Sequence, residues 1–124
     1  MKYKLIQRKN PQLPDAPPKW YAVPVNDGRI SQDAISSEIV DLSSLSRGDV
    51  GNAINSMIDI IPKYLLMSKS VNLGDLGTFR LSFSSEGVDS PEQFSTDKIS
   101  KVRVIFTPST SLLQALAKVR FEKV

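Results

Sequence analysis

The sequence contains no cysteine and no histidine in 124 residues. Without cysteine there is no disulfide, no zinc–thiolate site and no thiol nucleophile. Without histidine the chain lacks the commonest general base and the commonest metal ligand. No run approaches the roughly 18 apolar residues that a membrane-spanning helix needs. The charged segment Met1 to Arg8 is followed by no apolar stretch of the kind a signal peptide carries. Serines are plentiful but have no histidine partner, and the carboxylates are scattered rather than clustered as ligands. These absences predict a cytoplasmic protein that is not an enzyme, with no cofactor, metal, membrane or small-molecule partner.

What is present is close to the globular average, with 40% hydrophobic and 23% charged residues. A chain of this length is expected to bury roughly two-thirds of its unfolded surface. The net charge of +3 is unevenly placed. Residues 1–30 carry six basic and two acidic side chains, and residues 99–124 carry five and one, so each end is +4. Residues 31–66 are −3 and residues 67–98 are −2. If the ends meet in the fold, they form one positive surface on an acidic body. If they do not, the same cations serve only solubility.

Residues 1–9 alternate, with Tyr3, Leu5 and Gln7 on one side and Lys2, Lys4 and Arg8 on the other. Trp20 to Val25 is aromatic and β-branched, as strands prefer. Between them, Asn10 to Pro18 holds four prolines in nine residues, which stops both helix and ladder. This predicts a hairpin with a stiff tip and Pro24 on an edge. Ser31 is placed to cap a short helix around Ala34, Ile35, Ile39 and Val40. Ser46 and Asp49 have capping-box spacing ahead of a longer helix with an apolar stripe at Val50, Ile54, Met57, Ile58, Ile61 and Leu65. Pro62 lies inside that stripe and predicts either a kink or an end.

Val71 to Leu73 begins a strand, Gly74 to Gly77 is a turn, and Phe79, Leu81 and Phe83 alternate with polar residues. Residues 84–98 form a polar excursion. Val102, Val104 and Phe106 then point inward, with Lys101 and Arg103 outward. A last helix runs from about Ser109 to Val119, and the tail suits a short final strand. The order β-β, α-α, β-β-β, α predicts an α+β fold. Residues 1–28 form a β extension with a Pro-rich loop, and residues 29–124 form the main domain.

From the long helix onward the chain resembles the HU/IHF family of bacterial histone-like DNA-binding proteins. The likeness rests on Val71-Asn72-Leu73 followed by Gly74-Asp75-Leu76-Gly77-Thr78-Phe79, and on Phe106-Thr107-Pro108-Ser109 before the last helix. It covers roughly residues 31–119. The N-terminal extension and the Ser85-Glu86-Gly87 excursion look like the longer HU-related proteins of Bacteroidetes. The resemblance implies an IHF-like fold: an intertwined homodimer with a helical body and a β-arm that enters the DNA minor groove. It also implies a dimer interface at Val50, Ile54, Met57, Ile58, Ile61 and Phe79, double-stranded DNA as partner, and a place in the bacterial nucleoid.

The chain departs from the family in its arm. The family's arm is basic with an Arg-Asn-Pro tip, whereas Ser84 to Lys98 here sets Glu86, Asp89, Glu92 and Asp97 against Lys98. Phosphate repels such an arm. Arg8-Lys9-Asn10-Pro11-Gln12 instead reproduces the tip chemistry at the N-terminus, with Pro11 as a candidate wedge. The expected DNA-binding residues are therefore Lys2, Lys4, Arg8, Lys9, Pro11, Lys19, Arg80, Lys98, Lys101 and Arg103. Trp20 and Tyr21 are read first as a pair packed over a core and second as a base-stacking platform. The leading expectation is architectural, sequence-independent binding, bending and condensation of duplex DNA. The alternative is a dimeric protein-interaction module on the same scaffold that has lost DNA binding.

Overall fold

The computed structural model describes residues 1–124. Its first two strands, β1 (Lys2–Arg8) and β2 (Lys19–Pro24), form an antiparallel hairpin whose tip is the proline-rich loop. The tip is turned by Asn10: its carbonyl accepts the Leu13 N–H at 3.1 Å, and its Oδ1 accepts the Gln12 N–H at 3.0 Å. At the far end of the sequence, β6 (Glu122–Lys123) pairs in parallel with Lys2 and Tyr3. The sheet order is β2-β1-β6, so Pro24 lies on an outer strand, where its missing N–H leaves no ladder bond unmade.

Two helices follow the hairpin. In α1 (Gln32–Leu42) the Ser31 hydroxyl accepts the Ala34 N–H at 3.2 Å. In α2 (Arg47–Leu66) the capping box is complete: Ser46 Oγ accepts the Asp49 N–H at 3.1 Å, and the Asp49 carboxylate accepts the Ser46 N–H at 3.0 Å. Pro62 forfeits one helical bond, yet the helix runs through it to Leu66.

The second sheet contains β3 (Val71–Asn72), β4 (Gly77–Ser85) and β5 (Ile99–Pro108), in that order and antiparallel throughout. The Gly74–Gly77 turn needs its glycines. Gly74 has φ +59° and Gly77 φ +148°, and a Cβ at Gly77 would stand 2.4 Å from the Thr107 carbonyl oxygen. That close approach lets Phe79 and Phe106 pack with ring centroids 4.9 Å apart. Ser82 faces Arg103 but Ser84 faces Ser100, so β5 carries one extra residue, and Lys101 absorbs it at φ +54°. The excursion between the strands folds into two 3₁₀ turns, Pro91–Gln93 and Thr96–Lys98. The last helix, α3 (Thr110–Leu116), is capped by Ser109 and ends three residues earlier than its apolar spacing predicts. The chain leaves it to reach β1.

The protomer is far more open than its length predicts. Only four of 124 residues are buried, Val50, Leu65 and Ser36 among them. The accessible surface is 10495 Å², against about 6,600 Å² for a compact chain of this mass. The expected burial of two-thirds of the unfolded surface is thus corrected to about half. The cause is apolar faces with nothing over them. Val102, Val104 and Phe106 do share one face of the second sheet with Phe79, Leu81 and Phe83, yet Val104 remains 57% exposed. No helix is long and apolar enough to cross a membrane.

Candidate nucleic-acid interface

Register decides which cations stand together. Lys2, Lys4, Ile6 and Arg8 alternate onto one face of β1, and Lys19 and Tyr21 occupy the same face of β2. Arg8 lies directly opposite Lys19. Like charges facing each other across a ladder destabilise it, so this pair stands against the local preference of the sheet. Lys4, Arg8, Lys9 and Lys19 form no ion pair within the chain; Lys2 reaches Asp27 at 2.6 Å. Pro11 sits at the hairpin tip, beyond Arg8 and Lys9, with Asn10 holding the turn.

The tail joins the same sheet. Val124 donates its N–H to the Tyr3 carbonyl at 3.0 Å, Glu122 donates to the Met1 carbonyl at 3.1 Å, and the Met1 ammonium reaches the Arg120 carbonyl. Arg120 and Lys123 are thereby brought to the sheet of the basic hairpin, with Glu122 on the face of Lys2 and Lys123 on that of Tyr3. Sequence reasoning left these two out of the site. The signal was the +4 charge of the last segment together with its short strand-like tail, but nothing local names the strand it joins.

The remaining expected residues form a second group. Arg80 and Arg103 share one face of the β4–β5 ribbon, and Arg103 Nη1 donates to Ser84 Oγ at 3.2 Å. Lys101 projects from the bulge. Lys98 lies 3.6 Å from Glu86, which offsets its charge at the base of the acidic excursion. The positive ends of the chain therefore meet only in part: the tail joins the hairpin, and β5 keeps its cations on the other sheet. Trp20 and Tyr21 cover no core, since Trp20 is 63% exposed.

On α2, Val50 is 2% exposed and already packed inside the protomer. Ile54 and Ile61 are half-buried, and Met57 and Ile58 are exposed. With Pro62 these four line an apolar groove of about 340 Å³. Phe79 is half-buried against Phe106. The one Ser-x-x-Lys spacing in the chain, Ser95 to Lys98, is engaged elsewhere: Ser95 hydrogen-bonds Asp97, and Lys98 pairs with Glu86.

The profile of a family described as HU-HIG, an HU domain fused to wHTH, Ig or glycine-rich motifs, matches residues 1–123. No curated protein matches the chain. Among solved structures, the fold is similar to that of a candidate bacterial DNA-binding protein from Bacteroides vulgatus, with a TM-score of 0.63 and 18% sequence identity. That alignment covers 99% of this chain and 48% of the other, so the chain spans about half the length of that protein.

Proposed function

Since the chain belongs to the HU-HIG family, which its profile matches over residues 1–123, we propose that it is a homodimer that binds and bends duplex DNA with little regard to sequence. The observation that carries this reading is the N-terminal sheet, where Arg8 opposes Lys19 and the basic tail is zipped onto the same strand. Two like charges held face to face are relieved when a polyanion lies across them. Lys2, Lys4, Arg8, Lys9 and Lys19 contact phosphates, and Pro11 at the hairpin tip enters the minor groove as a wedge. Arg80, Lys101 and Arg103 form a second phosphate contact on the ribbon, with Lys98 at its edge. No helix presents a row of base-reading side chains, so affinity comes from charge and from DNA deformability. The place of action is the nucleoid of a bacterial cytoplasm, where such binding condenses DNA.

The exposed surface supports the dimer reading. The protomer exposes about 4,000 Å² more than a compact chain of its mass. That excess exceeds the roughly 800 Å² per partner of an ordinary interface and suits an obligate, intertwined one. Ile54, Met57, Ile58 and Ile61 on α2, with Phe79 on the sheet, are its apolar contacts, and Val50 supports α2 from within.

The test is affinity for a short duplex as a function of salt. The log–log slope is expected near −0.9 for each phosphate contacted. Arg8→Gln and Lys19→Gln should each shallow it by about one contact, while Pro11→Ala should reduce bending more than affinity. Absence of binding at low salt would overturn the reading. It would leave the dimeric interaction module, which the acidic excursion with Glu86, Asp89, Glu92 and Asp97 favours.

A further inference from the structure

The N-terminal sheet has a second face, and its chemistry differs from the first. Tyr3, Leu5 and Gln7 on β1 pair with Pro24, Ala22 and Trp20 on β2, which places all six on the side away from Lys4, Arg8 and Lys19. β6 pairs Lys123 with Tyr3, so Lys123 and the preceding Phe121 lie on this side too. β1 and β2 therefore each supply one aromatic ring to this surface, and Phe121 adds a third just ahead of β6. Two of these rings are open, Trp20 at 63% and Phe121 at 70% exposed, and Tyr3 is half-buried between the strands. Between Phe121, Tyr3, Leu5 and Pro24 runs a groove of about 650 Å³.

The geometry points to a binding surface for unpaired bases of single-stranded nucleic acid, with Trp20, Tyr3 and Phe121 as stacking platforms. Bases stack on aromatic side chains laid out on a sheet, whatever their identity, because every base has a π face. Trp20 stands level with Gln7, four residues along β1 from Tyr3, so the outer rings are about 13 Å apart. That separation keeps them from stacking on each other, so each can take a different base of one strand. Gln7, beside Trp20, offers donors and acceptors to a base edge.

Charge selects the occupant. The strands of this face carry Lys123 and no carboxylate, and Lys9 follows at the hairpin end. Across the sheet as a whole Lys4, Arg8, Lys19, Arg120 and Lys123 stand against Glu122, while Lys2 is paired with Asp27. Two such sheets stacked face to face would bring like charge together, whereas a polyanion complements it. A single strand can lay its bases on the aromatic face and its phosphates along the cationic edges. Duplex DNA, with its bases paired and stacked, takes the basic face instead. The inference rests on the nucleic-acid reading above and extends it to strands opened by bending or damage.

Trp20 is the single tryptophan, so its emission reports on this face alone. The experiment titrates the full chain with an oligo(dT) strand and, separately, with a blunt duplex, following Trp20 fluorescence and anisotropy of labelled DNA. The expected result is strong quenching by oligo(dT). Trp20→Ala should lose about tenfold or more in single-strand affinity and change duplex affinity by less than twofold. Phe121→Ala should weaken the single strand while leaving Trp20 as reporter and the circular dichroism of the fold unchanged. Duplex binding with no quenching by oligo(dT) would overturn this inference and leave the duplex reading standing. Quenching by oligo(dT) without duplex binding would do the reverse. A blue-shifted, unquenchable Trp20 in the free protein would mean that a second copy or another protein covers the face, and would also overturn the inference.

Discussion

Gly77 is a position where backbone and neighbour both demand glycine. Its φ of +148° is strained for any other residue, and an added Cβ would meet the Thr107 carbonyl and the Phe106 ring at 2.4 and 2.7 Å. Gly77→Ala is expected to destabilise the fold by about 3 kcal/mol in urea denaturation, the sum of strain and overpacking. Ser46 offers a gentler test. Its backbone N–H and its hydroxyl both hydrogen-bond Asp49 and hold that carboxyl below the ordinary carboxylate value. A depressed carboxylate contributes stability above its unfolded pKa and loses it as pH falls through the folded one. Ser46→Ala should cost about 1 kcal/mol at neutral pH and flatten the acid limb of the stability curve, as thermal melts between neutral and acid pH would show. Both residues were legible in the sequence. A capping box and a glycine turn are coded by neighbours a few residues apart, and such patterns need no knowledge of the rest of the chain.

Elements were legible in proportion to how local their partners are. The hairpin of β1 and β2 could be read from alternation and from the prolines between. The parallel seam of β6 on β1 could not, because two distant segments carry no shared pattern that names their register. The same limit explains the outer residues of the site. Lys4 and Arg8 were visible as one face of one strand, while Arg120 and Lys123 reached the same sheet only in three dimensions, Lys123 on its opposite face. For β5, alternation found the apolar face but not what covers it. Under the proposed function the hairpin trades stability against binding. Lys19→Glu would place an opposite charge across from Arg8 and should stabilise the ladder by about 0.5 kcal/mol. The same change should make duplex binding less steeply dependent on salt and lower its affinity several-fold. A melting temperature that rises while affinity falls would separate the two effects; one that falls with it would place Arg8 and Lys19 in a merely structural role.

The whole molecule is defined by surface that one chain cannot cover. With 10495 Å² accessible and only Val50, Leu65 and a few small residues buried, the protomer holds little core of its own. Its stability should therefore depend on protein concentration, as it does for obligate dimers. Ile58→Asp, which charges an exposed position 58% open on α2, should leave an unfolded or molten chain rather than a stable monomer. Sedimentation and circular dichroism of that variant would decide it. The seam between the two ends of the chain has a kinetic consequence. The Met1 ammonium and its Arg120 partner are 119 residues apart, and only a handful of backbone bonds hold β6 in place. Closing a loop of that length early would cost about 4 kcal/mol of chain entropy, with little to offset it. The hairpin and the helices, whose contacts are local, are expected to form first, and the seam to close last. In native-state hydrogen exchange the amides of Glu122 and Val124 should open well before those of α2. On that order of events the cationic sheet is the last part of the chain to be completed, so a partly folded protomer presents that sheet unfinished.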